Sequence, residues 1–393
     1  MSSLNDVKSR ALGKLVASKI KQEFPVANLG VLHEPVFRGR ELDYTRQCIE
    51  SGFVSSVGEF VNRFEEQLSL RFEGRSVVAT NTGTSALHLA LIGAGVNEGD
   101  EVIIPAATFV ATANAVRMCG AIPHFVDIEL SSMALDTQLL EEYLCDLLEP
   151  RPEGQFNRQS GRRVSAVVVV HLFGHSAPVN EILGVIDPYA LPLVEDAAEA
   201  VGSIFDDRPV GTSSALAALS FNGNKIVTTG GGGAVVAESA EVARLLKHLS
   251  TTAKKPHPWE YFHDMPGFNY RMPNVNAALG CAQLEQLDLF VEAKRSLVGR
   301  YASALGDVSD VELVTEPSGG RSNYWLQTIL LEQSHDLSAV LGALHEEGIG
   351  ARPLWKPLHE LPMYERCPRS PLGVTESLSG RLINLPSGVG VAA

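Results

Sequence analysis

Few cysteines, no long apolar run and no excess of basic residues limit what this chain can be. Its five cysteines are scattered, odd in number and never spaced as Cys-x-x-Cys, which argues against a disulfide framework and against a zinc site. No stretch reaches the ~18 uninterrupted apolar residues of a membrane span. Residues 1–21 are polar and mixed in charge, unlike a signal peptide. The predicted location is therefore a reducing cytoplasm.

The charge balance is acidic, with 32 lysines and arginines against 46 aspartates and glutamates, a net charge of −14. No long block carries charge of a single sign. General nucleic-acid binding requires a basic face, so the composition argues against that function. An anionic small molecule remains compatible with an acidic chain, because backbone amides at a helix N-terminus bind phosphate locally.

With 393 residues, the chain exceeds the ~250–300 at which a single hydrophobic core stops growing, so two subdomains are predicted. From residue 75 onward, strand and helix patterns alternate. Residues 164–170 are almost wholly apolar and β-branched, as in a strand buried on both faces of a parallel sheet. Such alternation predicts an α/β domain with a mostly parallel, doubly wound sheet. The predicted strands are 76–79, 102–104, 123–126, 164–170, 191–194 and 234–237, and the predicted helices are 84–93, 110–119 and 137–148.

The remaining segments suggest the domain limits. Residues 149–163 are rich in Pro, Gly, Gln and Arg, which predicts an exposed insertion. A long helix beginning at Pro273 is expected to lead into a smaller C-terminal α/β domain, with strands at 324–331 and 350–354 and a helix at 337–347. The predicted units are an N-terminal helical segment at 1–30, a large domain at 31–265, and the linking helix with the small domain at 266–393.

Lys225 is the first residue with a chemical signal. It ends the run Ser-Phe-Asn-Gly-Asn-Lys at 220–225 and precedes four glycines at 230–233. A lysine that forms a Schiff base must be neutral to attack a carbonyl group, and small, apolar surroundings suit that chemistry. Most loop lysines are solvated surface residues, so Lys225 becomes a candidate only together with other segments.

Three further segments supply such partners. Residues 81–87 lie where a strand turns into a helix, which makes either a phosphate cradle or an ordinary helix cap. Asp196 falls at the carboxyl end of a buried strand, where ligands bind in open α/β sheets. There it either keeps a pyridine nitrogen protonated or caps the next turn. Phe109, at the start of another helix, lies either on a cofactor ring or in the core. An Asp for the ring nitrogen and a Lys for the aldehyde carbon are the pair that pyridoxal phosphate requires.

Five motifs together resemble the DegT/DnrJ/EryC1/StrS family of nucleotide-sugar aminotransferases, within the fold-type I pyridoxal-phosphate enzymes. The resemblance runs from about residue 31 to residue 387. Residues 54–58 and 220–225 are in addition similar to the LegC-like branch, which aminates UDP-linked 4-keto-6-deoxy sugars toward legionaminic-type nonulosonic acids. The five motifs are Ser-Gly-Phe-Val-Ser at 51–55, residues 81–87, residues 195–202, residues 220–225 with the glycine run, and Gly-Phe-Asn-Tyr-Arg-Met at 267–272.

The resemblance implies pyridoxal 5′-phosphate as the cofactor and assigns catalytic roles to two residues. Lys225 would bond to the cofactor and shuttle a proton, and Asp196 would pair with the pyridine nitrogen. Phe109 would stack on the ring. Glu199 would lie near the 3-hydroxyl group of the ring, at a position that often holds Gln or His in the family.

The phosphate group would be bound by residues from two subunits. Gly83, Thr84 and Ser85 would bind it at the helix N-terminus, with the hydroxyl group of Ser220 beside them. Asn269 would reach it from the neighbouring subunit, which implies a homodimer with shared active sites.

Three residues are predicted to face the substrate: Ser55, His171 and Arg352. Trp355, Lys356 and His359 lie near Arg352 in the sequence and share that expectation, with an exposed loop as the alternative. His171 and His175 continue a strand into a turn and do not share a helical face, so no metal site is predicted. Family members usually continue for one more helix after residues 384–387, whereas this chain ends at Ala393.

The implied reaction is a ping-pong transfer of an amino group from L-glutamate to a keto-sugar nucleotide in glycan biosynthesis. A UDP-linked 4-keto-6-deoxy-N-acetylhexosamine is the expected substrate. The alternatives are a GDP- or dTDP-linked sugar aminated at C3 or C4, and a non-catalytic regulatory homologue. Related sugar dehydratases carry His where Lys225 stands, and a Rossmann dehydrogenase would need a G-x-G-x-x-G motif after its first strand, which is absent.

Overall fold

The computed structural model describes residues 2–392, so Ala393 lies outside the described residues. The helices are α1 (Ser2–Glu23), α2 (Glu41–Glu50), α3 (Glu59–Arg71), α4 (Gly83–Gly93), α5 (Val110–Met118), α6 (Thr137–Leu147), α7 (Val179–Ile186), α8 (Ala240–Ser250), α9 (Asn274–Leu284), α10 (Leu287–Leu305), α11 (Leu337–Glu346), α12 (Gly373–Ser379) and α13 (Val389–Ala392). Short 3-10 helices lie at Leu172–Gly174, Asp187–Tyr189 and Leu358–Glu360. No helix within residues 2–392 is long and apolar enough to cross a membrane.

The strands form three sheets, of nine, four and three strands. They are β1 (Ser76–Thr80), β2 (Glu101–Pro105), β3 (Ile122–Val126), β4 (Leu148–Arg151), β5 (Gly154–Asn157), β6 (Arg163–Val170), β7 (Leu193–Asp196), β8 (Ile204–Phe205), β9 (Arg208–Pro209), β10 (Leu216–Ser220), β11 (Gly233–Ala237), β12 (Val311–Leu313), β13 (Gly320–Arg321), β14 (Gln327–Leu331), β15 (Arg352–Pro353) and β16 (Leu382–Leu385).

The large sheet has the order β1-β11-β10-β7-β6-β2-β3, with the β4–β5 hairpin attached to β6. β11 is antiparallel to both of its neighbours, whereas β10, β7, β6, β2 and β3 pair in parallel. Along β6, Ala166 and Val168 face a cluster with α4, α5 and α8, and Val167 and Val169 face a cluster with α6 and α7. Apolar residues on both faces explain why helices cover both sides of the sheet. The predicted α/β class with a mostly parallel, doubly wound sheet is confirmed.

A second core belongs to the four-stranded antiparallel sheet β12-β14-β16-β15. Ile329 on β14 and Val340 on α11 pack there against Tyr301 of α10. The N-terminal helix α1 completes this core, because its Val16 and Ile20 are fully buried in the same cluster. The N-terminal segment therefore packs with the C-terminal part of the chain, while the predicted domain limits remain a prediction.

Among the segments that differ from the sequence expectations, two have a clear tertiary cause. The expected exposed insertion at 149–163 contains the β4–β5 hairpin. The side chains of Asn157 and Ser160 at its end donate to the fully buried Glu101, which ties this polar segment to β2. The expected single linking helix is interrupted between α9 and α10. There the side chains of Gln283 and Gln286 both donate to Glu41 of α2. This tertiary contact stabilises the interruption of the helix, which the spacing of apolar residues in the sequence did not indicate.

Candidate active site

A cavity of about 280 Å³ opens at the carboxyl ends of β7 and β10, and residues from both parts of the chain line it. Ligands bind at this edge in open α/β sheets, because loops and helix N-termini converge there. Trp325 and Trp355 close the cavity from the C-terminal part of the chain. Of the predicted site residues, the cavity is lined by Gly83, Thr84, Phe109, Asp196, Glu199, Ser220, Lys225 and Trp355.

Lys225 lies in the loop that follows β10. Its N–H donates to the carbonyl oxygen of Asn222, which closes a tight turn and directs the side chain into the cavity. The Nζ atom lies 3.3 Å from Oε1 of Glu199 and 3.8 Å from the centroid of the Trp325 ring. Only 13% of the side chain is exposed. The amine is therefore shielded from bulk water yet accessible from the cavity.

Asp196 is the last residue of β7, and its carboxyl group is buried under the cavity. Thr112 donates its hydroxyl hydrogen to Oδ2 at 2.8 Å, and the N–H of Ala198 donates to Oδ1 at 3.2 Å. Burial raises the pKa of the Asp196 carboxyl, and the two hydrogen bonds and the charge of Lys225 only partly oppose this effect. A cationic group at this wall would stabilise the ionised form.

Glu199 is a second buried carboxyl group beside the first. Its Oε2 accepts from the N–H of Phe173 at 2.8 Å, and its Oε1 faces Lys225. Burial raises the pKa of Glu199 as well, against the opposing charge of Lys225. The cavity thus sets two buried carboxyl groups against a single lysine, so a positively charged ligand atom would find a complementary charge there.

The N-terminus of α4 forms the opposite wall. Thr82 caps the helix, since its Oγ1 accepts from the N–H of Ser85 at 3.0 Å. The Ser85 hydroxyl is used in the same cap, where it donates to Asn81 at 2.8 Å. The N–H groups of Gly83 and Thr84 belong to the first helical turn, which no intrahelical acceptor satisfies, and they suit an anion.

Gly83 meets a steric requirement at this wall. A Cβ atom at this position would lie 2.7 Å from Cβ of Ser220, so only glycine lets the start of α4 approach the end of β10 this closely. The approach places the Ser220 side chain beside the free amides of α4. Together they form a cradle for an anion such as a phosphate group.

The geometry fits pyridoxal phosphate on three separate observations. The helix N-terminus at Gly83 and Thr84 suits its phosphate group, and the buried carboxyl of Asp196 suits a protonated ring nitrogen. The shielded amine of Lys225 is placed to react with its aldehyde carbon. A fold of this type with this combination of groups defines a pyridoxal-phosphate-dependent transferase.

Aromatic side chains form the outer wall of the cavity. Phe109 caps the start of α5 and is 48% exposed, so it is not a core residue. Its ring meets Trp355 edge-on at 5.6 Å between centroids, and Trp355 also contacts Phe173 at 5.7 Å. Trp325 stacks on Trp355 at 6.4 Å. Phe109, Trp325 and Trp355 line the cavity, and Phe173 packs behind Trp355; we call these four residues the aromatic wall.

Seven residues predicted to bind the cofactor or face the substrate do not line this cavity, among them Lys356, His359 and Ser85, whose hydroxyl group is used in the cap of α4. His171 is fully buried: its Nδ1 accepts from the N–H of Ala177, so its Nε2 carries the hydrogen and donates to Glu195 at 3.0 Å. The prediction that His171 faces the substrate therefore does not match its position, because both ring nitrogens are used beneath β7. Ser55, Asn269 and Arg352 are exposed on the surface.

Several cavity residues were not among the predicted ones. Thr112 lies one helical turn after Thr108 and contacts Asp196, and Trp325 faces Lys225. Trp325 is one of only three tryptophans in the chain. This scarcity was an available signal, whereas the contact of Thr112 with Asp196 depends on the folding of α5 against β7.

Comparisons with known proteins agree with this site. Residues 36–393 match the DegT/DnrJ/EryC1/StrS aminotransferase family. EpsN of Bacillus subtilis, assigned as a pyridoxal phosphate-dependent aminotransferase, is 38% identical over 91% of this chain and 90% of that protein. The GDP-perosamine synthase of Vibrio cholerae is 34% identical over 92% of this chain and 94% of that protein. The crystal structure of a DegT/DnrJ/EryC1/StrS aminotransferase from Brucella abortus has a TM-score of 0.80 and 28% identity, over 90% of this chain and 94% of that one.

The chain therefore belongs to the DegT/DnrJ/EryC1/StrS aminotransferase family, and it is a pyridoxal-phosphate-dependent enzyme with the fold-type I architecture. The predicted family and cofactor are confirmed. The finer prediction of the LegC-like branch remains a prediction.

The raised pKa of Asp196 predicts a pH dependence of folding stability. A carboxyl whose pKa is higher in the folded than in the unfolded state binds more protons when folded, so stability falls as pH rises above ~4. We expect the free energy of unfolding of cofactor-free Asp196→Asn protein to fall less steeply than that of wild type. The difference in slope is at most about 1.4 kcal/mol per pH unit, the value for one proton.

Urea unfolding between pH 4 and pH 8 measures these slopes. Asp146→Asn is the matched control, because Asp146 is exposed on α6 and far from the cavity. Parallel curves for wild type and Asp196→Asn would contradict the prediction.

Proposed function

We propose that this enzyme moves an amino group from L-glutamate to the keto group of a sugar linked to a nucleoside diphosphate, for use in surface-glycan biosynthesis. The observation that carries the proposal is the placement of Lys225, Asp196 and the free amides of α4 around one cavity. The relatives of this chain include GDP-perosamine synthases, which supports the sugar-nucleotide class of the acceptor.

The proposed roles follow from the positions of the side chains. Gly83 and Thr84 would bind the cofactor phosphate through their N–H groups, with the hydroxyl of Ser220 beside them. Ser85 would support this site indirectly, because its hydroxyl group completes the cap of α4. Phe109 would cover one face of the ring from the aromatic wall.

When bound, pyridoxal phosphate supplies an electron sink for the carbon from which a proton is removed. Lys225 would act as the general base that takes the α-proton from the amino donor and returns it to the adjacent carbon. Asp196 would hold the proton of the pyridine nitrogen in place. Glu199, 3.3 Å from Nζ of Lys225, would keep the freed amine within reach of that proton.

The nucleotide of the sugar substrate is proposed from the relatives of this chain. A GDP-linked keto sugar is supported by the likeness to GDP-perosamine synthases over more than nine-tenths of the chain. The LegC-like motifs at 54–58 and 220–225 favour a UDP-linked 4-keto-6-deoxy-N-acetylhexosamine instead. We take the GDP-linked sugar as the first candidate, because whole-chain similarity outweighs two short motifs.

Substitution of Lys225 tests the chemistry. Purified wild type with pyridoxal phosphate should absorb near ~420 nm, and L-glutamate should move the band toward ~330 nm as the cofactor gains the amino group. In Lys225→Ala the shift with glutamate should slow by at least ~10²–10⁴-fold, the range for a positioned proton transfer. Lys14→Ala, in an exposed part of α1, should behave as wild type.

Two results would contradict this mechanism. Retained transamination in a Lys225→Ala protein with wild-type thermal unfolding would exclude Lys225 as the base. If the spectrum of wild type with pyridoxal phosphate lacks the ~420 nm band and equals that of the free cofactor, the non-catalytic alternative is favoured.

A substrate panel tests the acceptor. Enzyme already converted by L-glutamate is mixed with GDP-, UDP- and dTDP-linked keto sugars, and the return of the ~420 nm absorbance is timed. We expect the GDP-linked 4-keto-6-deoxy sugar to restore the band with the highest kcat/KM, with mass spectrometry identifying the amino sugar. A faster reaction with a UDP-linked sugar would support the LegC-like branch instead, and no reaction with any sugar would overturn the proposed acceptor class.

We also propose that the enzyme is a homodimer in which Asn269 completes the neighbouring site. Asn269 is exposed at the end of a loop that carries the highly exposed side chains of Trp259 and Tyr261. Exposed aromatic residues of this kind are typical of protein interfaces. The loop also adjoins the start of α4, since the backbone oxygen of Asn269 accepts from Asn81 at 3.3 Å.

Mixed dimers test the shared site. Asn269→Ala and Lys225→Ala proteins should each have low activity. After mixing through reversible unfolding, half of the dimers carry one intact site, so about one quarter of wild-type activity should return for a twofold symmetric dimer. A mixture no more active than the sum of its two components would show that each site is built from one chain.

A further inference from the structure

Lys294 is a fully buried lysine outside the cavity. Its Nζ donates to the carbonyl oxygens of Ser387 at 2.5 Å, Trp325 at 2.9 Å and Tyr324 at 3.5 Å. None of the carboxylates among residues 5–391 pairs with it, and burial lowers the pKa of Lys294 well below its usual value. The three carbonyl oxygens are therefore the groups that compensate for the burial of this amine.

The carbonyl partners belong to a strained turn that precedes β14. Tyr324 has a φ of 46°, in the left-handed region that a bulky residue rarely adopts. Asn323 fixes the turn from one side, because its Oδ1 accepts from the N–H of Trp325 at 2.8 Å. Lys294 fixes it from the other side through the carbonyl groups of both aromatic residues.

The strained turn determines where the indole of Trp325 lies. Its Nε1 donates to the carbonyl oxygen of Asn224 at 2.7 Å, one residue before Lys225. The face of the ring then lies 3.8 Å from Nζ of Lys225. The negative face of an indole attracts a cation, so this position favours a positively charged nitrogen at Lys225 and limits its orientation.

We propose that Lys294 is a positioning residue of the active site, which holds the Tyr324–Trp325 turn so that the indole face of Trp325 orients the nitrogen of Lys225. The proposal rests on the proposed role of Lys225 as the cofactor-binding lysine. The proposed contacts connect Lys294 of α10 to the nitrogen of Lys225 through Trp325. Neither Lys294 nor Trp325 belongs to a motif identified in the sequence.

Other charged groups also act on Lys225. Glu199 lies 3.3 Å from its Nζ, and the charge of Lys225 also acts on the buried carboxyl of Asp196. His33 is also buried near these groups. Burial, and then the charges of Lys294 and Lys225, hold the pKa of His33 well below its usual value. These groups are unchanged in the variants below, so differences between variants report on Trp325 and Lys294.

The test is a pH titration of the ~420 nm band in protein reconstituted with pyridoxal phosphate. In Trp325→Leu the midpoint of the titration should fall by about one pH unit, because the positive nitrogen loses its aromatic partner. Trp325→Phe retains an aromatic face, so its shift should be smaller.

Lys294→Met should lower the midpoint in the same direction, since the turn that carries Trp325 loses its clamp. The double variant should shift no further than Trp325→Leu alone, because both changes act through the same indole. Tyr301→Phe is the matched control: Tyr301 lies on the same helix and donates to the carbonyl of Pro386, beside Ser387. Its loss should lower stability without moving the midpoint.

Three outcomes would overturn the proposal. They are an unchanged midpoint in Trp325→Leu, a Lys294→Met protein that is less stable but titrates as wild type, and a midpoint that rises in Lys294→Met because only a nearby positive charge was lost. If Lys294→Met does not fold, Lys294→Gln retains donors to the carbonyls and should give a smaller shift in the same direction. A wild-type protein without the band would overturn the proposed function itself, which keeps the two failures distinct.

Discussion

The buried carboxyl group of Asp196 is the constraint on which the rest of the site depends. A carboxylate enclosed at the end of a strand costs free energy unless hydrogen bonds and a cation offset the loss of water. The fold supplies two donors, from Thr112 and Ala198, and a lysine across the cavity. Glu199 adds a second buried carboxyl, so Lys225 alone cannot neutralise both. A cationic ring nitrogen would complete this balance, which is why the cavity suits pyridoxal phosphate.

The arrangement of the large domain followed from its sequence because local pattern and burial agree there. Residues 164–170 are apolar at every position save one, and the structure buries that strand between helices on both faces. The hairpin β4–β5 escaped prediction because its residues are polar and its stability comes from Glu101, which is distant in sequence. The break between α9 and α10 has the same origin, in contacts with Glu41 that only the folded chain brings together.

Site residues could be predicted from the sequence where the type of side chain alone indicates its chemical role. Lys225 and Asp196 had such signals, and the structure places both at the expected edge of the sheet. Ser85 shows the limit of motif reading, since a hydroxyl at a helix start serves either a ligand or the cap, and here it serves the cap. His171 had a plausible position after a buried strand, yet its hydrogen bonds to Glu195 and Ala177 use both ring nitrogens.

The cavity is shared between two packing units, and this has a consequence for residues that never touch the ligand. The lysine and carboxyl groups come from the large sheet, whereas Trp325 and Trp355 come from segments packed with the small one. The orientation of the lysine nitrogen therefore depends on how the small domain is fixed to the large one. The strained backbone at Tyr324 and the buried amino group of Lys294 lie at that junction. Strain and a buried polar group of this kind persist only where the surrounding structure compensates for them, so we treat the junction as part of the active site.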